Sequence, residues 1–269
     1  MPSLNSTYTK DSPNWEKPRT VVVPGACWLE DDLLPLAEGC RVVFYDQRGR
    51  GRSGPIDGEP SLALEVRDLE SLHASLGLGR VSLLGWSYLA AVTSHFAAAN
   101  PEFTDSLLLV APMLPHHDAS GDDEAGDPAA AEEDARLDAL RGDPEYAAEY
   151  WRVHVRRRMG NGEAFARMRS AAWRHANEVP DAISSFFGSF FASLGEWDFR
   201  PVIASVSAPV LVVHGERDVL PLRSSRAWAH AAPRGRLLVI PGSGHYPWLE
   251  SPRPFFAAAR AFLNPQEQS

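Results

Sequence analysis

Two cysteines, Cys27 and Cys40, are all that 269 residues contain, too few to suggest a disulfide framework. No stretch approaches the apolar length that crosses a bilayer, so no membrane association is expected. Met1-Pro2-Ser3 opens without a basic region followed by an apolar one, and a cytoplasmic location is the default expectation. Positive charge is outnumbered, 26 Lys and Arg against 35 Asp and Glu, and a net charge of -9 argues against a nucleic-acid surface as the main business. Internal repeats are missing too. Metal-ligand spacing is lacking: in His116-His117-Asp118 the adjacent histidines project apart and no further ligands follow at useful distance. No metal and no cofactor is therefore expected, and the implied partner is a small-molecule substrate. What remains is ordinary for a globular chain, 44% hydrophobic and 23% charged, long enough for one large α/β domain or a core with an insertion.

The chain alternates short apolar runs with amphipathic stretches. A short edge strand is expected around Leu4 to Thr9, within a proline-bearing start that leaves the opening hairpin abbreviated. Thr20-Val21-Val22-Val23 and Arg41-Val42-Val43-Phe44-Tyr45 are β-branched runs with a helical pattern from Trp28 to Glu38 between them, one β-α-β unit whose strands lie parallel. Ser61 to Leu76 carries leucines and a valine at helical spacing, with Ser61 as cap and Gly77 as stop. Asp105 to Ala111, Ala208 to Gly215 and Arg236 to Ile240 are further buried strands, with helices expected near Ser224–Ala232 and Pro252–Phe262.

Val81 to Ala91 is the stretch that suggests chemistry. An apolar run ends at Gly85 and an Ala-rich helix follows, which places Ser87 on the turn between them with the free N–H groups of the helix start behind it. Gly-x-Ser by itself is ordinary punctuation, so partners elsewhere decide its meaning. Two loops supply them: Gly215-Glu216-Arg217-Asp218 after one strand and Gly242-Ser243-Gly244-His245 after the next. In a parallel sheet these loops and Ser87 share the carboxyl-end face, where open α/β sheets keep their sites. His73, His95, His214 and Glu216 are spare candidates of lower rank.

Gly85-Trp86-Ser87-Tyr88-Leu89 resembles the G-x-S-x-G nucleophile elbow of the alpha/beta-hydrolase family, with Leu89 in place of the last glycine. The order Ser, Asp, His and both flanking loop motifs match that family. Asp46-Gln47-Arg48-Gly49-Arg50-Gly51-Arg52-Ser53-Gly54 resembles its D-x-R-G-x-G-x-S loop, and the Gln is reminiscent of the proline iminopeptidase branch; there the loop is mostly architectural. The resemblance implies a mostly parallel sheet flanked by helices with an inserted helical cap: a core at residues 1–114 and 206–269, and a linker with lid at 115–205. Residues 115 to about 142 are acidic and poor in large apolar side chains, hence a linker, and the aromatic-rich helical pattern of 143–195 is the lid.

By the same resemblance Ser87 is the nucleophile, His245 the general base and acid, and Asp218 the residue that orients the imidazole. The backbone N–H groups of Ala26 and Tyr88 would form the oxyanion hole, although Pro24 stands where the family writes His. Cys27, Trp28, Trp86, Trp151 and Phe187 are the expected pocket residues. The function expected is a serine hydrolase that cleaves an ester, amide or thioester of an apolar substrate through an acyl-enzyme, of esterase, thioesterase or aminopeptidase-like type. The alternatives are a lyase or cyclase using the same pocket, or a binding protein that kept the scaffold. Glu149, Glu178 and Glu196 lie in the insert, where lid glutamates of the aminopeptidase branch hold a free amine, but none matches residue by residue.

Overall fold

The valine and leucine runs become strands, and their alternate side chains sort onto opposite faces of one sheet. The computed structural model describes residues 6–8, 19–117 and 128–264. Its strands are β1 (Ser6–Tyr8), β2 (Thr20–Pro24), β3 (Arg41–Tyr45), β4 (Val81–Trp86), β5 (Thr104–Val110), β6 (Val210–Gly215) and β7 (Gly235–Ile240). They lie in the order β1-β3-β2-β4-β5-β6-β7, with β1 antiparallel to β3 and the other six parallel. The chain runs from β2 outward to β3 and then returns to the other side of β2 with β4, so the strand order reverses between β2 and β4. Crevices at such a reversal, outside the strand carboxyl ends, are where open α/β sheets bind ligands.

On one face Val21, Val23, Phe44, Leu84, Leu108 and Val213 pack with Leu29 and Leu33 of α1 (Ala26–Leu33) and with Phe255 and Phe262 of the last helix (Pro252–Leu263). On the other, Val22, Val43, Leu83, Leu107 and Val212 meet Leu69 and Leu72 of α2 (Leu62–Ser75), Phe96 of α3 (Leu89–Ala99) and Trp228 near the end of a helix at Leu222–Ala231. Each such side chain, fully withdrawn from water, contributes about 1.5–3 kcal/mol. The expected cap of α2 is present: Ser61 Oγ accepts from the Leu64 amide at 3.3 Å, and Gly77 follows the helix with φ +58°.

Between β5 and β6 lies the insertion. It contains α4 (Pro128–Ala139), α5 (Tyr146–Arg157), three 3-10 turns, α6 (Pro180–Leu194) and α7 (Arg200–Ala204), after which come α8 (Leu222–Ala231), α9 (Pro247–Glu250) and α10 (Pro252–Leu263). α7 packs against α3 and α8 in the layer that covers the sheet. The linker expected across 115–142 needs correction, because Pro128–Ala139 is helical. Among its described side chains that helix buries one apolar group, Leu137, and charge ties it to α5: Arg157 of α5 bonds Glu133 at 3.0 Å and Asp134 at 2.7 Å, and Arg136 pairs with Glu149 of α5. Residues 118–127, with Asp118, fall outside the described residues, as do Leu4, Asn5 and Thr9 of the expected first strand, whose middle forms β1, and the rest of the polar start. His116 forms an isolated bridge with Asp198, and among the described residues no group of three metal-ligating side chains occurs. None of the described helices is long and apolar enough to cross a membrane.

Candidate active site

The turn after β4 carries a backbone that an L side chain rarely adopts: Ser87 has φ +55°. Hydrogen bonds hold it there, from the Ser87 amide to the Val110 carbonyl (3.0 Å) and from the Met113 amide to the Ser87 carbonyl (3.2 Å). Close approach of α3 to the strand requires Gly85, where a Cβ would stand 2.3 Å from Thr93 Oγ1 and 2.8 Å from Ala90 Cα. Leu89, the residue that departs from the elbow pattern, is buried, and its Cδ1 lies 3.2 Å from where a Cβ on Gly25 would be. The leucine thus fills room left by the glycine of the neighbouring loop, whose φ is +81°.

Asp218 and His245 arrive from the loops after β6 and β7. His245 Nδ1 lies 2.9 Å from Asp218 Oδ1 and 3.2 Å from Oδ2, and both side chains are buried. A carboxylate only accepts, so Nδ1 carries a proton, and in the neutral ring the lone pair is on Nε2. Asp218 Oδ1 also accepts from the Leu220 amide at 2.9 Å. The histidine backbone is fixed from both sides: its N–H donates to the Arg158 carbonyl (2.8 Å) and its carbonyl accepts from Trp86 Nε1 (3.1 Å). Glycines make this packing possible. A Cβ on Gly215 would meet the Gly244 and Ser243 carbonyls at 2.1 and 2.4 Å, and one on Gly244 would meet the Gly160 amide at 2.4 Å.

Ser87 and His245 face one cavity of about 450 Å³. Its wall includes Trp28 and Leu29 of α1, Trp86, Tyr88 and Leu89 of the elbow, Tyr150, Trp151 and His154 of α5, Ile183, Phe187 and Phe191 of α6, and Tyr246. Of the pocket residues expected from sequence, Trp28, Trp86, Trp151 and Phe187 are in this wall. Cys27 is not; its thiol is pushed up by burial, with Glu178 and Asp46 adding to the effect, so it stays protonated at neutral pH. The spare candidates are occupied away from the cavity: His73 on the Gly79 carbonyl, His95 on the Ala91 carbonyl, His214 on Ser225 and Glu216 on the Gly242 amide.

Residues 20–259 match the profile of the alpha/beta hydrolase family. The chain belongs to that family. It is 26% identical over 230 residues, 82% of this chain and 80% of the other, to a putative non-heme chloroperoxidase of Synechocystis sp.. To a proline iminopeptidase of Heyndrickxia coagulans it is 24% identical over 260 residues, 90% and 88% of the two chains. An esterase from Rhodococcus sp. ECU1013 has the same fold, with a TM-score of 0.72 at 22% identity, covering 97% of this chain and 94% of that one.

In this alpha/beta hydrolase the main-chain N–H of Tyr88, next in the chain to Ser87, and that of Ala26, at the start of α1, have no acceptor among the described residues. The loop that carries Ala26 is steadied where Pro24 supplies no polar side chain: Gly25 donates to the Tyr45 carbonyl (2.9 Å) and the Cys27 amide to Asp46 Oδ1 (2.7 Å). Asp46 also accepts from the Arg52 amide at 3.1 Å, and its loop folds close over it because Gly51 has no Cβ. The loop is architectural in its bonds. Arg48 pairs with Asp68, Arg52 with Glu30, and Arg50 crosses to Glu178 of the insertion.

Of the three glutamates of the insertion that the sequence left unassigned, Glu178 is the one buried against the core loop. Its Oε1 accepts from Arg50 Nε (2.8 Å) and the Gly51 amide (2.9 Å), and its Oε2 from Arg50 Nη2 (3.0 Å) and Trp28 Nε1 (2.7 Å). Its own carbonyl accepts from Trp151 Nε1 at 2.7 Å. Burial would raise its pKa, but the Arg50 charge and these hydrogen bonds outweigh it and hold the carboxyl below its ordinary value. Arg50 Nη1 then reaches the Tyr88 hydroxyl at 2.9 Å, which also accepts from Gln47 at 3.2 Å. No local motif marks Glu178, whose partner lies 128 positions away.

Proposed function

We propose that the protein is a serine hydrolase that cleaves an ester bond through an acyl-enzyme formed on Ser87. The observation that carries this reading is the buried His245–Asp218 hydrogen bond, which leaves Nε2 with a lone pair in the cavity that Ser87 also lines. His245 takes the Ser87 proton as Oγ attacks the carbonyl carbon and gives it to the leaving oxygen; Asp218 holds the ring and stabilises its charged form. The tetrahedral oxyanion receives the Ala26 and Tyr88 N–H groups, and water, activated by the same imidazole, then releases the acid. The insertion acts as a lid whose aromatic side chains wall the acyl group from bulk water.

An ester is favoured over the N-terminal residue of a peptide by the fate of the lid carboxylates. Glu178 has both oxygens engaged by Arg50, Gly51 and Trp28, and no carboxylate lines the cavity among the described residues, so a free ammonium group finds no counter-charge there. The test is labelling with a fluorophosphonate and hydrolysis of p-nitrophenyl esters. Ser87 is expected to carry the label, and Ser87→Ala to lose both the label and at least about 10³-fold in turnover while its far-UV circular dichroism stays native. A Ser87→Ala protein with half the parent's turnover overturns the acyl-enzyme.

A further inference from the structure

The cavity wall is one-sided in charge. Arg50, Arg158, His154 and His245 line it, and among the described residues no Asp or Glu does. Two of the four are matched from behind the wall, Arg50 by Glu178 and His245 by Asp218. His154 stacks on Tyr150 with ring centroids 3.9 Å apart, and burial together with the charges of Arg158 and Arg157 lowers its pKa from the ordinary histidine value. Arg158 is different. Its Nη1 donates to the His154 carbonyl at 2.9 Å, while its Nε and Nη2 have no acceptor among the described residues.

Those two donors form the edge of a guanidinium that grips a carboxylate side-on, and the molecule contains the demonstration: Arg50 holds Glu178 by its own Nε and Nη2, at 2.8 and 3.0 Å. The charge of Arg158 is felt by Tyr150, His154 and Tyr246, all in the cavity wall. Three acids act on the same neighbours and all are engaged, Asp218 with His245 at 2.9 Å. Asp134 binds Arg157 at 2.7 Å, and Glu250 accepts the amides of Asn161 (2.9 Å) and Tyr246 (3.2 Å). The root of the side chain is fixed too, since the Arg158 carbonyl holds the His245 amide.

We propose that Arg158 binds a carboxylate of the substrate, so that the ester cleaved at Ser87 belongs to a molecule with a second, unreacted acid group, such as a half-ester of a dicarboxylic acid. The proposal rests on the acyl-transfer reading for its reaction and on the cavity's charge for its specificity. Arg158 is half-buried in the cavity wall, so its free guanidinium edge is open to a ligand, and a planar anion satisfies both N–H groups at once.

The test compares p-nitrophenyl half-esters of glutaric and adipic acid with p-nitrophenyl butanoate and hexanoate. The wild-type protein is expected to show a KM for the acid-bearing esters lower by about tenfold or more, the scale of a charge-assisted hydrogen bond. Arg158→Gln should erase that difference by raising KM for the acid-bearing esters more than for the neutral ones, and Arg158→Lys should retain part of it. Equal KM values for the two series in the wild type, or an equal loss on both in Arg158→Gln, overturns the proposal. Titration of tryptophan fluorescence with adipic acid mono-anilide and with hexananilide reads the same contact without turnover. If neither ester series is hydrolysed, the acyl-transfer reading fails, while tighter binding of the acid anilide in wild type than in Arg158→Gln still upholds Arg158, and equal binding still overturns it.

Discussion

Replacing Glu178 by Gln should loosen the insertion from the sheet more than any other single polar change. The Arg50–Glu178 pair is buried, with side chains 6% and 0% exposed, and Glu178 meets four N–H groups, two from Arg50 and one each from Trp28 and Gly51. Glutamine keeps one accepting oxygen and turns an NH2 group toward donors that cannot accept from it. Breaking a buried pair by removing one charge costs about 3–5 kcal/mol, and in a domain of this size each kcal/mol lowers Tm by about 2–4 °C, so a fall of about 6–20 °C is expected. Trp28 and Trp151 both bond to Glu178, so tryptophan fluorescence and near-UV circular dichroism report the loss directly. The sign with pH follows from the lowered carboxyl: its stabilisation is complete above the ordinary carboxylate range and disappears as pH falls through the native pKa. Wild type should therefore lose more stability on acidification than Glu178→Gln. The double change Arg50→Met with Glu178→Met should recover much of the deficit, because no buried charge is then left alone. A Glu178→Gln protein that melts within about 2 °C of wild type refutes the reasoning.

Two further outcomes concern the elbow. Glu65 is buried beneath it, with Oε2 accepting from Gln47 at 3.2 Å and Oε1 without a partner, and burial drives its pKa up to about 7 against the pull of Arg50 and Gln47. The native state then holds a proton that the unfolded chain releases, so stability falls as pH rises from the ordinary glutamate range to about 7 and is level above. Glu65→Gln should remove up to about 3 kcal/mol of that penalty, raising Tm at pH 8 but not at pH 4, as thermal melts at the two values will read; an equal change at both speaks against it. Gly85→Ala should cost about 1–3 kcal/mol, because its Cβ meets Ala90 Cα and the Leu89 carbonyl at 2.8 Å as well as Thr93; denaturant titration at an unchanged midpoint counts against the clash.

The strands of the core were legible because β-branched and leucine runs of five or six residues ended in Gly, Pro or Asp leave few readings, and strand direction followed from the helices between them. Ser87, Asp218 and His245 were legible as a set for the same reason, each standing just past such a run. The insertion was harder. α4, PAAAEEDARLDA, has one large apolar residue, Leu137, and ion pairs tie it to α5, so there is no apolar stripe from which a helix could be read. The tie between Arg50 and Glu178 spans 128 positions and is made in a buried ion pair, for which no local pattern exists. The departures at Leu89 and Pro24 were visible as letters, yet their compensation by Gly25 and Asp46 needed coordinates.

The carbonyl of Arg158, just past α5, carries the amide of His245. A swing of that helix outward would therefore drag the imidazole off its carboxylate and disarm the centre at the moment of admission. On α6, by contrast, Phe187 lines the chamber and Phe191 is exposed at its edge, and neither is bonded to His245 or Asp218, so a shift of these two rings would reshape the chamber without pulling on that pair.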